Sequence, residues 1–102
     1  MKLWIDDLRP APDPYEYNWI FSVDQAKETI KACEEENIPI EIIDIDHDAG
    51  DFWNQYGGDY IKLLDWLEAT GRNYPIRIHS MNPVGRENMR RIIQKNGWTE
   101  VR

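Results

Sequence analysis

The chain has one cysteine, Cys33, and two histidines, His47 and His79. A lone thiol closes no internal disulfide, so a reducing compartment is expected. Cationic side chains are scarce: 12 Lys and Arg stand against 19 Asp and Glu, a net charge of −7 at pH 7. That balance excludes nucleic-acid binding through a broad basic surface, which needs clustered Lys and Arg against the phosphates. A phosphate ligand stays possible where an arginine or a metal supplies local positive charge. Long apolar runs are also missing. The apolar segments are too short to span a bilayer, and the N-terminus lacks the apolar region of a signal peptide, so a cytoplasmic protein without a membrane partner is expected. There is no internal repeat and no low-complexity tract. What is present suffices for a modest core: 102 residues, 41% hydrophobic, with five tryptophans, predict one folded domain over 1–102.

The chain is organised around Asp44-Ile45-Asp46-His47-Asp48. This stretch closes an apolar run, Ile38 to Ile43, that reads as a buried parallel strand. Buried strands do not normally end in three acids around a histidine, since each unpaired carboxylate costs on the order of several kcal/mol. The cluster therefore belongs at the strand's carboxyl end, in the crevice where open α/β sheets bind ligands. A hard cation is the simplest device to hold such charges together.

The flanking segments predict the rest of the sheet. Lys2-Leu3-Trp4-Ile5 is a short strand stopped by Asp6-Asp7, whose carboxylates reach one point only if the chain bends there. Three prolines in five residues, Pro10 to Pro14, forbid a helix and predict an extended, semi-rigid loop. Tyr15 to Phe21 predicts a second, edge strand. Ser22 with Gln25 forms a capping box for a helix running to about Glu36, with Val23, Ala26, Ile30 and Cys33 inward and a solvated Glu34-Glu35-Glu36 end. Cys33 reads as a small core residue. The aromatic loop from Ala49 to Gly57, with Phe52, Trp53 and Tyr56, either covers the crevice or packs on the surface. Asp59 to Thr70 is an apolar helix ended by Gly71, and Pro75 to Ser80 a fourth strand. Asn82 caps and Pro83 starts a last helix with Val84, Met89, Ile92 and Ile93 inward. Gly97 ends it, and Trp98 to Val101 adds a final short strand. Such alternation predicts a three-layer α/β domain with a mainly parallel sheet.

Three strands thus end in polar groups. Asp6, Asp7 and Asp46, with Asp48, make a reasonable Mg²⁺ site, Mn²⁺ being the alternative, and Mg²⁺ favours phosphate as a further ligand. The helix at Asn82 points free N–H groups at the same rim, and Arg9 and Arg86 can fork onto phosphate oxygens. His47 and His79 can serve as general acid and base on a phosphodiester. Ser80 can bind a phosphate oxygen or act as nucleophile. Plainer roles stand beside these: loop capping for Asp6, Asp7, Asp46 and Asp48, a salt bridge to the acids for Arg9, a satisfied structural histidine at 47, and a structural Asp44.

Trp4-Ile5-Asp6-Asp7-Leu8-Arg9-Pro10-Ala11-Pro12, Asp46-His47-Asp48-Ala49-Gly50 and the run from Ile78 to Met89 resemble the cyclic-phosphate processing receiver domain family, a divergent relative of response-regulator receivers. The resemblance spans nearly the whole chain. It implies a flavodoxin-like fold with a five-stranded sheet in the order 2-1-3-4-5, the first helix replaced by the Pro-rich loop. It also implies that Asp6 and Asp7 match the receiver acid pair that binds Mg²⁺, Asp46 the phosphoacceptor, and Ser80 the hydroxyl residue ending strand four. Gly58-Asp59-Tyr60 resembles the start of the receiver's third helix. The lysine that ordinary receivers carry at the end of strand five, and their fifth helix, have no counterpart here.

The reading that follows is a metal-dependent phosphoesterase, or sensor, acting on the cyclic phosphate of a nucleotide or an RNA end. A stand-alone receiver-like phosphoacceptor and a non-catalytic nucleotide- or protein-binding module are the alternatives.

Overall fold

The computed structural model describes residues 1–49 and 55–102. Four strands form one sheet: β1 (Lys2–Ile5), β2 (Tyr17–Ile20), β3 (Ile42–Ile45) and β4 (Ile76–Ile78). Their order is β2-β1-β3-β4, and all pairs are parallel. Three helices follow: α1 (Val23–Glu35), α2 (Ile61–Ala69) and α3 (Pro83–Asn96). Among the described residues no helix is long and apolar enough to cross a membrane.

The two crossovers β2-α1-β3 and β3-α2-β4 step across the sheet in the same direction. Right-handed connections then place α1 and α2 on one face, and α3 packs beside α2 on that same side. One alternate set of strand residues feeds this face: Leu3, Ile5, Ile43, Ile45, Ile76 and Ile78 are all buried there with Val23, Ala26 and Ile30 of α1, Leu63, Leu64 and Leu67 of α2, and Met89 and Ile93 of α3. The other alternate set is Lys2, Trp4, Tyr17, Trp19, Ile42, Asp44 and Arg77, aligned by the strand register. Among the described residues no helix covers it. The described residues therefore form two layers, not three, with a mixed aromatic and charged outer face.

Other expectations are corrected as well. The sheet has four strands, not five: residues 98–101 meet β4 only at Ile76, in an isolated parallel bridge to Glu100. Two hydrogen bonds, Ile76 N to Thr99 O (3.0 Å) and Val101 N to Ile76 O (2.8 Å), close it, and the three-residue β4 leaves no ladder to extend. The β1–β2 connection is not an extended Pro-rich loop. The Asp6 carboxylate accepts from Leu8 and Arg9 N–H (2.9 and 3.0 Å), and Asp13 accepts from Tyr15 N–H (2.9 Å), so two Asx-type turns fold it. Strand β3 starts at Ile42, later than Ile38. Asn37 takes a positive φ of 57° where α1 ends, and Ile38 N–H caps Cys33 O, so residues 38–41 serve the turn. Glu34 is not merely solvated: Arg72 pairs with it at 2.8 Å, and Tyr74 donates to it.

Helix α1 is capped as its capping box predicts, with the Ser22 hydroxyl accepting from Gln25 N–H at 3.1 Å and Gln25 returning to Phe21 N–H. On α3 the buried stripe is Gly85, Met89 and Ile93, while Val84 is 70% exposed. A residue next to the stripe is rotated by about 100° on a helix, which carries Val84 away from the sheet. Met89→Ala should therefore cost about 2–5 kcal/mol, as for buried methionines elsewhere, whereas Val84→Ala should stay within about 0.5 kcal/mol. Urea unfolding of both variants checks this; equal losses would restore Val84 to the core.

Candidate functional site

The parallel ladder delivers the acids to one edge. Asp6 N–H bonds Ile20 O, Asp46 N–H bonds Ile5 O and His79 N–H bonds Ile45 O, each at 3.0 Å, so Asp6, Asp46 and His79 sit one step past the ends of adjacent strands. Counting back by two from each gives Trp4, Asp44 and Arg77, which are in register. Because side chains alternate along a strand, all six stand on the outer face of the sheet, opposite the helices.

His79 ties them together. Its Nδ1 lies 2.7 Å from Asp44 Oδ1 and its Nε2 3.0 Å from Asp6 Oδ2, and both carboxylates are fully buried. The ring thus bridges carboxylates from two adjacent strands, one at each nitrogen. The Trp4 indole stacks flat on the imidazole, centroids 3.9 Å apart at an interplanar angle of 3°, and its N–H donates to Arg9 O at 2.8 Å. Arg77 Nη1 approaches Asp44 Oδ2 at 3.6 Å; that oxygen is buried and has no hydrogen-bond partner. Arg9 approaches Asp6 Oδ2 at 3.4 Å and Asp46 Oδ1 at 3.8 Å, and donates to His79 O at 3.2 Å. Three carboxylates are thus faced by two arginines and one histidine of the same chain. Burial pushes the Asp6 carboxyl up, but the N–H groups of Arg9 and Leu8 and the His79 ring outweigh it and hold Asp6 below the usual carboxylate range.

The crevice itself, about 360 Å³, is lined by Leu8, Arg9, Asp46, Asp48, Met81 and Asn82. Leu8 and Met81 are 81% and 82% exposed and give it an apolar rim. Asn82 Oδ1 caps α3 by accepting from Gly85 N–H at 3.0 Å, and its amide faces Asp48 at 3.4 Å. His47 binds Asp48 Oδ1 through Nδ1 at 2.8 Å; its Nε2 has no hydrogen-bond partner among the described residues. Gly85 lets α3 approach: a Cβ there would lie 2.4 Å from His47 Cγ.

Arg9, Asp46, Asp48 and Asn82 therefore meet at one crevice, with His47 bonded to Asp48. Asp6 and His79 form the layer beneath it. Ser80 is buried, and its hydroxyl accepts from Asn82 N–H at 3.1 Å, so it braces the turn into α3. Asp7 lies to the side, where Tyr60 donates to it at 3.2 Å and to Phe21 O at 3.0 Å. Burial drives the Tyr60 phenol far above its ordinary value, and the charges of Asp7, Asp6 and Asp46 add to this. Arg86 points a long contact of 3.5 Å at Ser80 O but lines a different cavity. Phe52 and Trp53 fall outside the described residues; the carbonyl of Tyr56 caps α1 at Asp24 N–H (2.9 Å).

For a divalent metal the donor set is poorly open. Asp6 gives one oxygen to two backbone N–H groups and the other to His79 and Arg9. Among the described residues no three of His, Cys, Asp and Glu group so as to hold a metal ion. A metal on Asp6 must first displace Arg9 and His79, so the arrangement does not fit a carboxylate cage around Mg²⁺. Trp4, Trp19 and Tyr60 were not readable as site residues. Trp19 donates to Asp6 O at 2.6 Å, yet a tryptophan in a strand carries the same signal whether it packs a core or braces a site. Only the strand register, Trp4 beside Asp44, could have pointed to the stack.

The parallel sheet, the helices that cross over it and the acids at its carboxyl edge define a receiver-like, flavodoxin-like α/β domain. Residues 1–95 match the cyclic-phosphate processing Receiver domain model, and the chain belongs to that family. A search of curated proteins finds no significant match.

Two outcomes follow. A carboxyl held below its unfolded value adds stability that is present above that value, near pH 3.8, and disappears as pH falls through the lower folded value. Stability measured from pH 5 to pH 2 should fall less steeply for Asp6→Asn than for the parent chain; parallel slopes would contradict the Asp6 environment. In α3, Gly85→Ala should gain up to about 1 kcal/mol by helix propensity alone. The clash with His47 should instead make it a net loss of about 1–3 kcal/mol. A stabilised variant in chemical denaturation would mean that His47 does not hold its place against the helix.

Proposed function

We propose that this domain is a phosphoesterase, or sensor, for a cyclic phosphate on a nucleotide or an RNA end. The observation that carries the reading is the crevice in which Arg9, Asp48 and Asn82 stand beside Asp46, with His47 bonded to Asp48 at its edge, in a member of the cyclic-phosphate processing receiver family. Arg9 is half exposed and held only at 3.4–3.8 Å by its acids, so its guanidinium can fork onto phosphate oxygens. The N-terminal turn of α3, capped by Asn82, adds backbone N–H groups that favour an anion. Leu8 and Met81 offer apolar surface to a base or sugar.

In such a reaction water attacks phosphorus, the P–O bond to one sugar oxygen breaks, and that oxygen leaves protonated. His47 is the general base: Asp48 fixes Nδ1 and leaves Nε2 to take the proton from water. His79 is the second imidazole, but it reaches a leaving oxygen only by giving up Asp6 or Asp44, and otherwise supports Asp6 from below. No step is assigned to a metal.

A second reading keeps Asp46 as a receiver phosphoacceptor, favoured by its position at the end of the central strand beside Arg9. The two readings separate in one set of assays. Nucleotides with 2′,3′- and 3′,5′-cyclic phosphates and RNA with a 2′,3′-cyclic end are incubated with the domain, and monoester formation is followed by chromatography. Parallel arms contain Mg²⁺, Mn²⁺ or chelator. His47→Ala should lower turnover by roughly 10²–10⁴-fold, the usual contribution of a general base, and Arg9→Ala should raise KM. No turnover on any substrate, together with labelling of Asp46 by a small phosphodonor, would replace the esterase with the phosphoacceptor.

A further inference from the structure

We propose that a cavity on the β4 edge is a second anion site, built for a small molecule bearing two adjacent phosphate groups, with pyrophosphate as its simplest form. This cavity, about 210 Å³, is lined by Arg77, Ile78, Arg86, Arg90, Glu100, Val101 and Arg102. It shares no lining residue with the crevice, so the inference does not rest on the proposed function.

Four guanidinium groups around one carboxylate are out of keeping with a chain of net charge −7. Glu100 is largely committed to Arg90, which it binds in a two-pronged pair at 2.8–3.1 Å; that pairing holds its carboxyl below the usual range. Arg86 faces no carboxylate within 4.0 Å among the described residues and has only the long contact to Ser80 O. Arg77 is half exposed and keeps a loose 3.6 Å approach to Asp44. Glu100 also meets Arg102 at 3.6 Å, so one carboxylate serves two of the four guanidinium groups. Arg86 and the loosely paired Arg77 are left to an incoming anion, and guanidinium forks match phosphate oxygens.

Size narrows the ligand. Drug-sized molecules occupy pockets of about 300–1,000 Å³, and this one is smaller, with charge rather than apolar wall as its dominant feature. A compact dianion or polyanion fits that chemistry; an apolar or extended ligand does not. Arg86 and Arg90, one helical turn apart on α3, and Arg77 from β4 approach from two elements. Three guanidinium groups offer more N–H donors than the oxygens of one phosphate use, which suits two linked phosphates.

The test is a titration of the whole chain with sodium pyrophosphate at constant ionic strength, following the arginine side-chain N–H signals by NMR, with orthophosphate in parallel. Arg77, Arg86 and Arg90 should move together on one saturable curve, and orthophosphate should bind more weakly. Arg86→Ala should weaken pyrophosphate about tenfold or more, as loss of a charge-assisted bond does, while Arg9→Ala leaves that curve within about twofold. Both side chains are substantially exposed, so the variants should fold, and Arg77→Gln provides a second, milder test. Saturable shifts confined to Arg9 and Asn82, or shifts in Arg77, Arg86 and Arg90 that stay linear to the highest concentration, would overturn the site.

Discussion

Everything at the carboxyl edge of this sheet depends on one imidazole held between two buried carboxylates. Asp6 and Asp44 reside on neighbouring strands, fully buried, and His79 bonds one through each ring nitrogen. Remove that ring and each of two buried carboxylates loses a hydrogen-bond partner, a situation that commonly costs about 3–5 kcal/mol. Trp4 covers one face of the imidazole and simultaneously donates to the Arg9 carbonyl, so the clamp also anchors the start of the β1–β2 connection. Ring, acids and connection are one interlocked unit.

The clamp can exist because, among the described residues, helices cover only one side of the sheet. In a sheet packed on both faces, both alternate sets of every strand are apolar. Here the inner set is Leu3, Ile5, Ile43, Ile45, Ile76 and Ile78, whereas the outer set includes Trp4, Asp44 and Arg77. The outer set is roofed by the turns of residues 6–16 and by its own ion pairs. This gives the domain an apolar layer that sets the fold and a polar layer that sets the charge pattern, back to back across four strands.

Strand ends and helix caps were legible in the sequence because their signals are local. Asp6, Asp46 and His79 follow short apolar runs, and Ser22 and Asn82 are followed at the right distance by the N–H groups they accept. The meeting of Arg9, Asp46, Asp48 and Asn82 followed from placing these ends on one parallel sheet edge. Layer number was harder. Alternation of strands and helices predicts parallel pairing, but which face receives each helix depends on the direction of each crossover, and both helical crossovers here run the same way. The expected fifth strand failed because Trp98 to Val101 has strand-like residues but a partner only three residues long. Arg86 went astray because a first-turn residue of a capped helix can face either the helix N-terminus or the sheet edge, and spacing does not distinguish them.

The acid cluster carries a further lesson about how charge is balanced. A string of carboxylates at strand ends invites a metal, since an external cation is the simplest neutralising partner. This chain instead brings Arg9, Arg77 and His79 to those acids. These three side chains differ in how tightly they are held: His79 is nearly buried at hydrogen-bond distance, while Arg9 and Arg77 are about half exposed and sit at 3.4 Å or beyond from the acids. Coulomb attraction falls with distance and with solvent screening, so the tight pairs stabilise the frame and the loose ones can turn toward an arriving anion at little cost. Arg9 is the loose one at the crevice. When it swings to a phosphate, Asp6 keeps His79 and its two backbone donors, so the floor of the site survives the loss of its arginine.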